Sequence, residues 1–100
     1  MRVTAQWTAV AAIAEELKVS ARLLDASATV VAADDSAPVH FTYPTTAWVP
    51  GETVEDVYDL TVPAGRRGAF GVVLIVYRAA DGGEVGRVEL PPVEIPAAGR

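Results

Sequence analysis

Acidic side chains and aromatic rings are where this sequence could do chemistry. Asp34, Asp35, Glu52, Asp56 and Asp59 fall near turn signals. Brought to one end of a fold, they could offer Ca²⁺ the roughly six to eight hard oxygens it takes. Their spacing matches no EF-hand loop. The structural alternative has Asp34 and Asp35 capping turns and Asp56 accepting backbone N–H bonds from the 44–51 loop. Phe41, Tyr43 and Trp48 cluster in a proline-rich loop. Exposed, these rings could stack on a sugar through the polarised face that also attracts cations. Packed, Trp48 would plug the open end of the core with Tyr43 beside it, because a long ordered loop needs an anchor.

Two further constellations are weaker. His40 with Ser36 and Asp34 or Asp35 supplies the residue types of a hydrolase triad. No Gly-x-Ser-x-Gly elbow and no glycine-rich oxyanion loop flanks Ser36, and a lone edge-strand histidine is ordinarily solvated. Gly65-Arg66-Arg67-Gly68 could hold a phosphate, but it lacks the Lys-Ser/Thr end of a P-loop and reads as a solvated turn. No catalytic residue is therefore expected, and no cofactor. The absence of cysteine removes disulfides, Fe–S clusters, zinc fingers and thiol nucleophiles, and a single histidine leaves little for a histidine-rich metal site. Thirteen acidic against eight basic residues, a net charge of −5, argue against a general nucleic-acid binder.

The elements that must position these residues are strands. The chain is 100 residues long and 51% hydrophobic, with 16 valines, eight threonines and three isoleucines. Such β-branched residues favour a pleated, half-buried surface. Residues 3–9 alternate with period two, placing Val3, Ala5 and Trp7 on one face. Residues 10–16 read as an irregular or one-turn helical connection. Strands are then predicted at 17–25 and 29–33, joined by an Asp25-Ala26-Ser27 turn. The 34–38 segment breaks the pattern, 39–43 reads as a short edge strand, and a structured loop reaches Glu52. A strand at 53–62 carries Val54, Asp56, Tyr58 and Leu60 on one face, with Asp56 the odd member. Residues 69–78 are apolar on both faces, as in a central strand. Ala80-Asp81-Gly82-Gly83 signals a hairpin back into 84–90. Pro91-Pro92 is expected to stop that strand, leaving 93–95 as a short last one.

Seven to eight short strands with turns every eight to twelve residues predict an all-β, Ig-like or fibronectin-III-like antiparallel sandwich. Residues 1–96 would be one domain and 97–100 a flexible tail. Trp7, Trp48, Gly51, Asp56, Tyr58 and Tyr77 are its expected structural residues.

The order of Trp7, Glu16-Leu17-Lys18-Val19, Leu23-Leu24-Asp25 and Val30-Val31-Ala32-Ala33-Asp34-Asp35 with Pro38 forms a pattern. It continues through Thr45-Thr46-Ala47-Trp48-Val49-Pro50-Gly51-Glu52, Asp56, Leu60, Pro63, Gly68, Phe70 and Val76-Tyr77-Arg78-Ala79-Ala80-Asp81-Gly82. The pattern resembles a β-sandwich module of bacterial dolichyl-phosphate-mannose mannosyltransferase-like membrane proteins, enzymes of lipid-linked sugars. The match is best from Trp48 to Pro63. It departs at Ile75-Val76-Tyr77-Arg78, where the family reads Gly-Leu-Tyr-Asp. The resemblance implies an accessory, non-catalytic sandwich lying outside the membrane-embedded part. It would bind envelope glycan or the membrane domain of its own parent chain. The N-terminal Met1-Arg2-Val3-Thr4-Ala5-Gln6-Trp7 has no apolar leader, and the longest apolar run, 69–77, is too short for a membrane helix. Beside the resemblance, this reads as a domain excised from a membrane-anchored, extracytoplasmic parent. The alternatives are a complete cytoplasmic chain and an Ig-like protein-interaction or adhesion scaffold.

Overall fold

The computed structural model describes residues 1–36, 43–65 and 67–95. Six strands occur among them: β1 (Arg2–Thr8), β2 (Leu17–Leu24), β3 (Val30–Ser36), β4 (Thr53–Asp59), β5 (Gly68–Arg78) and β6 (Glu84–Ile95). A single 3-10 turn, Thr45–Ala47, interrupts the loop before β4. Two antiparallel sheets result. One is the β1–β4 pair; the other has the order β3-β2-β5-β6.

The two sheets share one core. Val19, Ala21 and Leu23 of β2 meet Phe70, Val72 and Leu74 of β5 across from Tyr58 and Leu60. The alternation of β2 and β4 selects these residues, because period two sends every second side chain to the same face. Burying a Leu or Phe completely contributes roughly 1.5–3 kcal/mol, so this cluster carries most of the fold. In the centre of its sheet, β5 buries Val72, Val73, Leu74 and Ile75 in succession, as its two-sided apolar sequence requires.

Two turns have explicit local causes. Asp25 Oδ1 accepts the N–H groups of Ser27 and Thr29 at 2.8 and 3.0 Å, closing the β2–β3 hairpin. The β5–β6 hairpin closes through Gly82 N–H to Arg78 O at 2.8 Å, with Gly82 at φ 74°, a left-handed value that glycine adopts without cost.

Residues 10–16 form an irregular connection, the first of the two forms expected of them. Thr45 clamps the end of this segment: its hydroxyl donates to Glu15 O and accepts from Leu17 N–H, both at 2.9 Å. Two boundaries differ from the sequence expectation. Strand β3 continues through Asp34 and Asp35 to Ser36, so these acids do not cap a turn. Most notably, β6 runs through Pro91-Pro92. The pairing passes from Val72↔Leu90 to Phe70↔Val93, leaving the two prolines opposite Gly71 in a bulge. An edge strand tolerates proline because its outer N–H groups bond nothing in the sheet. The expected strand at 39–43 and tail at 97–100 lie outside the described residues, apart from Tyr43, which sits in a bend.

Candidate functional site

The aromatic loop is built as an anchor. Trp48 is 9% exposed and packs with Ala9 and Val54, against Trp7, Ile13 and Tyr43. Its Nε1–H donates to Tyr43 O at 3.0 Å. The Tyr43 ring lies 6.4 Å from the Trp48 ring, tilted by 39°. The Tyr43 hydroxyl donates to Glu52 Oε1, and Val49 N–H donates to the same oxygen at 3.2 Å. The bond from Tyr43, helped by Val49, holds the Glu52 carboxyl below its ordinary pKa, and that same bond raises the Tyr43 phenol. A ring as enclosed as Trp48 has no free face for a sugar. Phe41 and His40 lie outside the described residues.

The five acids do not come together at one place. Glu52 belongs to the Trp48 end of β4. Asp34 touches Asp59, at the other end. Six residue steps of extended chain, about 20 Å, separate the two ends. Asp56 is 2% exposed within the core. Its acceptor role is not toward the 44–51 loop: Oδ1 takes the N–H of Val57 at 2.9 Å, while Oδ2 is buried with no hydrogen-bond partner. Asp35 lies across the sheet, beside Arg22 and Tyr77. Among the described residues no group of three or more acids or histidines could hold a metal ion.

Two surface clefts are polar and charge-balanced. On the outer face of the four-stranded sheet, Arg22, Asp35, Tyr77, Glu84 and Arg87 line a cleft of about 370 Å³. Arg87 binds Glu84 through two parallel bonds of 2.7 and 2.9 Å, and Arg22 Nε donates to Ser20 Oγ at 2.9 Å. Burial raises the Tyr77 phenol. Two guanidiniums and two carboxylates line this cleft, so no net formal charge is left to draw a ligand. At the 65–68 turn, Asp25 lines the same cleft as Arg67 and opposes a bound anion.

The uncompensated feature is a backbone edge. Leu60 N–H donates to Met1 O at 2.7 Å, and the Met1 amino group donates to Leu60 O at 2.6 Å. Antiparallel pairs alternate between bonded and non-bonded positions. Hence Val3/Tyr58, Ala5/Asp56 and Trp7/Val54 are the bonded pairs of the β1–β4 register. The N–H and C=O groups of the residues between them point outward, to the free edges of this two-stranded sheet. On β4, carboxylates meet two of these donors: Asp56 accepts from Val57, and Asp34 Oδ2 accepts from Asp59 at 2.9 Å. On β1, the outward backbone groups of Thr4 and Gln6 meet no partner among the described residues.

Beside that open edge lies an apolar groove of about 260 Å³, floored by Leu74, Val88 and Leu90 and walled by Ala5 and Trp7. It exists because four strands face two. Val88 and Leu90 share the inward face with Leu74 and Val72, yet Val88 is 44% exposed. No strand lies over them on the β1 side among the described residues. The sequence contains the alternation of β1 and β6, but that alternation does not reveal which strands have a neighbour, so this site is missing from the sequence reading. The one available signal was the inward-facing row Val88, Leu90, Val93 and Ile95, a longer apolar stripe than β1 can cover.

The chain matches no known family model, no curated protein and no solved structure. Among the described residues, no helix is long and apolar enough to cross a membrane.

Proposed function

We propose that this chain is a non-catalytic, Ig-like β-sandwich module that binds protein by accepting an extended segment alongside β1. The observation that carries the reading is the open β1 edge at Thr4 and Gln6 beside the groove over Leu74, Val88 and Leu90. Strand addition uses both parts: backbone bonds supply affinity, and side chains inserted at every second position supply selectivity. The partner is a stretch with alternating apolar residues and no proline at its bonding positions. The resemblance to the mannosyltransferase-associated module supports an extracytoplasmic setting, with the membrane-embedded domain of the parent chain as the protein bound. The enclosed Trp48 ring weighs against envelope glycan as the ligand.

Selection from a displayed library of extended ten-residue peptides tests this reading. Peptides with alternating apolar residues are expected, and their binding slows amide exchange at Thr4 and Gln6. Gln6→Pro removes an outward N–H that β4 does not use and abolishes binding. Selected peptides that bind Gln6→Pro as tightly as the parent chain would overturn the proposal.

A further inference from the structure

A second space lies where the two core clusters meet at Trp7. Trp7, Ile13, Leu17, Val19, Trp48 and Val76, with Thr8, Ala9 and Thr45, line a partly open apolar pocket of about 150 Å³. Both tryptophans of the chain line it.

The polar atoms on its wall are already engaged. Trp7 Nε1–H donates to the Tyr58 hydroxyl at 3.2 Å, and Trp48 Nε1–H donates to Tyr43 O. The Thr45 hydroxyl is held between Glu15 O and Leu17 N–H. The Thr8 hydroxyl lies 3.5 Å from that of Thr53. A water molecule needs about two to four polar partners, so water gains nothing here. Apolar cavities of about this volume stay dry and accept a benzene-sized molecule. Leaving such a space empty is costly in a close-packed interior, and position 9, an alanine that is 6% exposed, could fill it with a larger side chain. The wall segment between Ala9 and Ile13 is irregular, with Val10 97% exposed, so the cavity borders the surface rather than the deep core.

We infer that this cavity is a binding site for one uncharged hydrocarbon group, an arene or the end of an alkyl chain, seated between Trp7 and Trp48. It shares only Trp7 with the groove beside the β1 edge, and Thr4 and Gln6 are not among its lining residues.

Bromobenzene is the probe, because its heavy atom quenches a tryptophan it touches. Saturable, one-to-one quenching is expected, together with a melting temperature raised by about 4–8 °C at roughly five times the dissociation constant. Ala9→Leu and Val76→Phe fill the cavity from opposite walls, and either variant that folds cooperatively loses both effects. Displacement of bromobenzene by decanoate assigns the site to the chain end of an amphiphile. Displacement by benzene but not by decanoate assigns it to a free hydrocarbon. Quenching of the unaltered chain that rises linearly without saturation, with no change in melting temperature, overturns the inference whatever the variants do. So does saturable quenching that persists in a folded filled variant.

Discussion

The two edges of the β1–β4 sheet are made from the same backbone groups, yet they present different surfaces. Along β4, Asp56 and Asp34 turn their carboxylates onto the outward N–H groups of Val57 and Asp59. Along β1, the equivalent positions carry Thr4 and Gln6, whose side chains project from the sheet and leave the backbone open. Proteins protect sheet edges because an unprotected one is a template for another strand. Here the protection is local and costly. Asp56 sits at 2% exposure with one oxygen unpartnered, and a buried polar atom without a partner destabilises a fold. Among the described residues, then, two outward donors of β4 are capped by carboxylates, whereas those of Thr4 and Gln6 on β1 have no partner.

The comparison can be broken most forcefully by moving a proline along β1. Ala5→Pro removes a ladder bond to β4 and is expected to destabilise the fold by roughly 3 kcal/mol. Gln6→Pro, one residue away, stays within about 1 kcal/mol of the parent chain. Denaturant midpoints distinguish the two, and equal losses would show that the bonded pairs are misassigned.

The next effect concerns what ties the two strands together. Tyr58, fully buried, accepts the Trp7 indole bond, and its pKa is raised far above 10, first by burial and further by Asp56. A group whose folded pKa is raised favours its protonated form in the fold. Its contribution is complete below the unfolded tyrosine pKa, about 10, and is lost as pH rises beyond that. Stability should therefore be flat with respect to Tyr58 up to pH ~10 and fall by up to about 1.4 kcal/mol per pH unit above it. Melting curves between pH 8 and 11.5 test the slope, and Tyr58→Phe should reduce it.

Uncapping β4 should come third. Asp56→Ala strands the Val57 N–H but also removes the unpartnered Oδ2, so a cost near the low end of about 1–3 kcal/mol is expected. Combined with Asp34→Ala, it should make β4 resemble β1 and produce concentration-dependent self-association in sedimentation velocity. A double variant that stays monomeric would mean that the carboxylates do not guard the edge. Smallest of all is the exposed Arg2–Asp59 pair at 3.1 Å, which spans the two strands on their outer face. Arg2→Ala should change stability by less than about 0.5 kcal/mol, and 1 M salt should erase the difference.

Much of the fold was readable from residue order because strand periodicity and turn chemistry are local. The alternation of β1, the two-sided apolar run of β5, the Asp25 turn and the Asp81-Gly82 hairpin all act over a few neighbouring residues. What was not readable depends on which strand lies beside which. Pro91-Pro92 looks like a stop because proline cannot donate in a ladder. Only the edge position of β6 and the bulge opposite Gly71 make it harmless. Asp34 and Asp35 look like turn residues until β4 arrives to use the Asp34 carboxylate. Asp56 was visible as an anomaly on an apolar face, but the N–H it accepts belongs to its own chain neighbour, Val57, not to the loop expected. Nor could residue order show that Glu52 and Asp59 lie beyond reach of each other: β4 places them at its opposite ends, and among the described residues no group of acids could hold a metal ion.

The carboxylate guard on β4 also biases how the sheet can grow. A sheet that is open on both sides can be extended without limit, and copies joined head to tail grow into a fibre. Among the described residues, two of the outward donors of β4 are capped, at Val57 and Asp59, whereas Glu55 between Val54 and Asp56 is not. An added strand, from a partner or from a second copy about a two-fold axis, is therefore directed to β1, and extension along β4 is disfavoured.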